Sequence, residues 1–61
     1  MNITQLKEYA RGIISRNPEL KDEVVDLLEL AISEIDQGGS ESHECGLAMN
    51  SMDELVSENQ S

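Results

Sequence analysis

His43 and Cys45 each occur once in the chain, and with Glu41 and Glu44 they form its one local cluster of groups able to act as nucleophile, base or metal ligand. A thiol activated by an imidazole must lie within hydrogen-bond reach of it. Residues two apart on a helix leave different sides and do not meet, so this spacing argues against a catalytic dyad. A zinc site takes four ligands, and one chain offers two good ones, so a metal would have to be shared across a dimer. Cys45 reads more simply as a small buried apolar residue on the inner face of a helix. The expectation is therefore a non-enzymatic protein with no catalytic, cofactor-binding or metal-binding residue. A Cys/His-dependent enzyme and a shared metal site stand as the alternatives.

The remaining acidic groups give no site either. Glu19, Asp22, Glu23, Asp26 and Glu29 match neither the calcium loop of an EF-hand nor the Glu-x-x-His spacing of a helical two-metal centre. They read as a solvated helix face. Gly38-Gly39 lacks the Lys and Ser/Thr of a phosphate-binding loop and reads as a helix stop.

What positions these groups is bounded by composition. The chain has 61 residues, 13 acidic against 4 basic, and a formal charge of −9, with no Trp, no Phe and a single Tyr. One domain of this size has a marginal core, built here from Leu, Ile, Val, Ala and Met. Lone Cys45 excludes an internal disulfide framework, and a reducing, cytoplasmic setting is expected. No apolar run approaches a membrane span, and the amino terminus lacks the basic and apolar regions of a signal peptide. The charge repels phosphates and anionic lipid, so no direct nucleic-acid binding and no membrane binding are expected. Lys7, Arg11, Arg16 and Lys21 are the only cations, which leaves everything after Asp22 without a positive side chain.

Three apolar stripes at helical spacing follow. Asn2 with Gln5 forms a capping-box signature, and Ile3, Leu6, Ala10, Ile13 and Ile14 predict a helix over 3–16, with Tyr9 half-buried beside its apolar face. Asn17-Pro18 closes it and opens a second helix over 18–37, with Asn17 as its cap. Leu20, Val24, Val25, Leu27, Leu28, Ala31, Ile32 and Ile35 span a sector of roughly 160°, wide enough for two neighbours. Leu30 falls outside that sector among Glu23, Asp26 and Glu34. After the polar connector 40–44, Cys45, Ala48, Met49, Met52, Leu55 and Val56 predict a third helix over about 43–57. A second capping box, Ser51 with Glu54, offers a later start for it. Residues 58–61 are expected to fray as a tail beyond a single domain over 1–57. The fold expected is an all-α, small antiparallel three-helix bundle.

The stretch Ile35-Asp36-Gln37-Gly38-Gly39-Ser40-Glu41-Ser42-His43-Glu44, with the make-up of the whole chain, resembles the small acidic uncharacterised proteins of tailed bacteriophages. The resemblance implies an accessory protein in a bacterial host's cytoplasm that binds and modulates a host protein, and it carries over no functional residue. The sequence reading is thus a protein-interaction module that self-associates as a homodimer or docks on a basic protein partner. Tyr9, Leu30, Leu47, Asp26 and Glu34 are the candidate partner-binding residues. The alternative is a nucleic-acid mimic that occupies a DNA-binding protein.

Overall fold

The computed structural model describes residues 1–60, and these form three α-helices with no strand among them. Helix α1 runs Ile3–Arg16, a 3-10 turn covers Pro18–Leu20, α2 runs Lys21–Asp36 and α3 runs Glu41–Gln60. The capping box at the start of α1 is formed: Asn2 Oδ1 accepts from the Gln5 N–H at 2.8 Å, and Gln5 Oε1 accepts from the Asn2 N–H at 3.0 Å. Two of the helix's orphan donors are thereby satisfied.

At the first joint the expected cap is not made. The Asn17 side chain turns back to donate to the Ile13 carbonyl at 3.3 Å, closing α1 rather than opening the next helix. Pro18 begins a single 3-10 turn instead, held by the Leu20 N–H on the Asn17 carbonyl at 2.9 Å, so the α-helix proper starts at Lys21 rather than at position 18. Proline lacks an N–H and restricts the residue before it, and the tighter turn absorbs both constraints.

The second joint follows the glycine signal closely. The Gly38 N–H donates to the Ile35 carbonyl at 3.0 Å and the Gly39 N–H to the Glu34 carbonyl at 2.9 Å, with Gly38 at φ +107°. This paired return is a Schellman closure, which ends α2 at Asp36. A Cβ on Gly39 would lie 2.8 Å from the Glu34 carbonyl oxygen, so the second glycine is required by close approach.

Helix α3 is longer than its sequence signals at both ends. It starts at Glu41 because Ser40 caps it, its hydroxyl accepting from the His43 N–H at 3.4 Å. The later start at Ser51 is not used, since Cys45, Ala48 and Met52 are all buried and their packing keeps the first turns helical through Gly46. The helix also continues through Glu58, Asn59 and Gln60, three of the residues expected in the tail; Ser61, the fourth, lies outside the described residues. Asn59 is tied across the bundle, its amide donating to the Glu19 carboxylate at 2.8 Å.

Two long-range contacts fix the topology. The Ile3 N–H donates to Glu41 Oε2 at 2.9 Å, placing the N-termini of α1 and α3 together, while Asn59 and Glu19 bring together their far ends. Helices α1 and α3 therefore run parallel and α2 runs antiparallel to both, the expected up-down-up bundle, in which each helix packs on the other two. Glu41 also supplies the acidic group that the first turn of α1 lacks.

The core consists of Leu6, Ala10, Ile13, Leu20, Val24, Ala31, Cys45, Ala48 and Met52. Each helix contributes one alanine to it, Ala10, Ala31 and Ala48. The resulting particle measures 35 × 17 × 17 Å. No buried polar side-chain atom among the described residues lacks a hydrogen bond.

Candidate functional site

The His43–Cys45 cluster does not assemble into a site. Cys45 is completely buried in the core, while His43 is exposed in the first turn of α3. Two residues apart on one helix, their side chains leave the axis about 200° from each other. Burial raises the Cys45 thiol above its ordinary ionisation range, and the charge of Glu41 adds to the effect. A thiol in that condition is a weak nucleophile at neutral pH. No group of three or more His, Cys, Asp or Glu side chains among the described residues could hold a metal ion.

The prominent surface feature lies between α2 and α3. Leu30 is 59% exposed and Leu47 is 49% exposed, and each lines the same open groove with Leu27, Ala31 and Ala48 along its floor. The groove continues past Ser51 to Leu55, in a hollow of ≈ 410 Å³. Its rim is formed by Glu23, Asp26 and Glu34 of α2 and by Glu44, Glu54 and Glu58 of α3. All six ionisable groups on the groove are thus carboxylates, and none of the four cations lines it. Glu23 and Glu34 lie eleven positions apart, so the groove is about 16 Å long at the helical rise.

Local sequence explains the arrangement. On α2, Leu30 follows Glu23 by seven residues and precedes Glu34 by four, so the three share one stripe at the edge of the packed sector. On α3, Glu44, Leu47, Ser51, Glu54 and Glu58 recur at intervals of three and four and form the facing stripe. An antiparallel hairpin brings the two stripes side by side.

Four of the five candidate partner-binding residues thereby fall together: Leu30, Asp26 and Glu34 from α2 and Leu47 from α3. Tyr9 does not join them. It is half-buried as expected, and its hydroxyl donates to Asp53 across the interface of α1 with α3. That bond and partial burial raise the phenol's ionisation above its ordinary value of 10.0. Tyr9 thus belongs to the bundle's internal ties.

Sequence reasoning overlooked Glu23, Glu44, Ser51, Glu54 and Glu58 as parts of the groove, and it assigned Leu27 and Leu55 wholly to the core stripes. A usable signal was present. With the joint at Gly38-Gly39, residues that line the same stretch, such as Asp26 with Glu54 and Leu30 with Ser51, have numbers that add to about 80. The chain matches no known family model, and no curated protein or solved structure shows significant similarity to it.

Proposed function

We propose that the protein is an interaction module whose α2/α3 groove docks a basic, apolar-bearing segment of a partner protein. One observation carries the reading: two large, exposed leucines share a floor whose every charged neighbour is an acid. Fully burying a leucine contributes about 1.5–3 kcal/mol, and Leu30 at 59% and Leu47 at 49% exposure have about half of that still to gain. The carboxylate rim adds little affinity per exposed ion pair, about 0.2–1 kcal/mol, but it selects the sign of the partner and speeds encounter.

The charge also separates this reading from the others. A homodimer formed groove to groove would set six carboxylates against six, a like-charge interface in a chain already at −9. A nucleic-acid mimic needs the carboxylates but has no use for leucines between them. In the setting implied by the resemblance to small acidic phage proteins, the partner is a host protein, bound and modulated without catalysis.

A labelled synthetic helix with leucines on one face and lysines flanking them tests the reading by fluorescence anisotropy. The expected result is low-salt binding that weakens as salt rises, lost by about tenfold in Leu30→Ser and in Leu47→Ser. The same peptide with glutamates in place of lysines should not bind. Binding indifferent to both leucine substitutions, or no binding at all, overturns the proposal.

A further inference from the structure

We infer that the groove takes one α-helix of about three turns from its partner, with an apolar stripe that carries Lys or Arg beside both of its ends. The inference rests on the docking reading above and specifies the partner's secondary structure and the placing of its charge.

The apolar track sets the spacing. Leu30 and Leu47 are exposed, and Leu27 and Leu55 are half-buried beside them. Facing residues have numbers that add to about 80, so Leu55 lies level with about position 25 of α2 and Leu47 with about position 33. Leu27 and Leu30 fall between those levels. The four leucines thus form a ladder about 12 Å long at the helical rise, running through both hollows. Residues i, i+3 or i+4, and i+7 of a helix span about 10 Å along one face, so three apolar anchors match the ladder.

An extended segment has the reach but not the fit. The backbone hydrogen bonds of both walls are spent within α2 and α3, so no sheet edge is offered. An extended backbone laid on leucines would leave its own polar groups unpaired, whereas a helix satisfies them internally.

Carboxylates stand on both walls near both ends of the ladder. Asp26 faces Glu54 across one end, and Glu34 faces Glu44 across the other. Glu58 is engaged within the chain and takes no part in the match. Asp26 and Glu34 lie eight positions apart, about 12 Å along α2, which exceeds the Debye length of about 8 Å at physiological salt. A cation at one end is therefore screened from the carboxylate pair at the other, and each pair needs its own.

Three twelve-residue peptides sharing one set of leucines and lysines provide the test, each titrated into the full chain and read by fluorescence anisotropy. The first carries lysines at both ends of its leucine stripe, the second carries them all at one end, and the third is the first with a central proline. The two-ended peptide should bind about threefold or more tightly than the one-ended peptide. The proline peptide should bind about tenfold or more weakly than its parent, because its helix is broken. Asp26→Asn/Glu54→Gln and Glu34→Gln/Glu44→Gln should each weaken the two-ended peptide about threefold, with the helical spectrum of the chain unchanged. Undiminished binding of the proline peptide overturns the helical form. Equal binding of the one-ended peptide, or a loss confined to one carboxylate pair, overturns the two-ended charge; docking stands in each of these cases. Absence of binding by all three peptides overturns docking and this inference together.

Discussion

Single side chains account for much of the order in so small a core. Met52 is fully buried and Cys45 lies one turn before Ala48 on the same inner face, so Met52→Ala should cost about 2–5 kcal/mol. For a bundle of this size that is most of the stability available, and thermal melting should show a large drop or a chain unfolded at room temperature; a near-neutral result contradicts the packing described. Tyr9 and Cys45 also set the alkaline limit. Both are held in their neutral forms, with ionisation raised above ordinary values of 10.0 and 9.0 respectively. A proton bound more tightly when folded means stability that is intact below the unfolded value and declines as pH rises through the folded one. Unfolding free energy should thus be flat near neutrality and fall from about pH 9 upward. Tyr9→Phe should cost about 0.5–1.5 kcal/mol at pH 7 and remove the upper part of that decline; an unaltered alkaline profile in the variant contradicts the Tyr9–Asp53 tie. Cys45 itself should alkylate at pH 7 far more slowly in the folded chain than in urea.

Among the elements, α1 was legible almost to the residue because its capping box and apolar period agree, and the structure realises both. The second joint was equally legible, since the requirement for glycine there is steric. Gly38→Ala forces a side chain into φ +107° and Gly39→Ala drives a Cβ against the Glu34 carbonyl, so each should destabilise by about 1 kcal/mol or more. Gly46→Ala meets nothing within 4 Å and should instead gain some tenths, up to about 1 kcal/mol, from helix propensity. If the three variants melt alike, the closure drawn at Gly38-Gly39 is wrong. Less legible were the first joint and the ends of α3. Asn17 carries a side chain that can cap either neighbour, and local sequence does not decide between them; burial of the residue and the Ile13 carbonyl behind it do. The extension of α3 to Gln60 likewise depends on Asn59 reaching Glu19, forty residues away in the chain. The groove was half legible for a related reason: Leu30 and Leu47 stood out from their own helices, but the acids opposite them belong to the other helix.

At the scale of the molecule, charge and shape point the same way. The four cations are on α1 and at the first residue of α2, and the charged groups lining the groove are all acids, so the particle is electrically polar. No helix among the described residues is long and apolar enough to cross a membrane. Self-repulsion at −9 predicts a monomer in low salt, with a melting temperature that ignores dilution. Sedimentation of a dimer under those conditions would show that leucine burial outweighs the carboxylates and that the groove's occupant is a second copy.

The most direct measurement is a nitrogen–proton correlation spectrum of the chain titrated with the lysine-flanked helical peptide. Saturable shifts confined to residues of α2 and α3 around Leu27, Leu30, Leu47 and Ser51, with α1 undisturbed on its cationic side, are the predicted result. Shifts centred on α1 around Lys7 and Arg11, or a spectrum that does not change at all, would contradict the account.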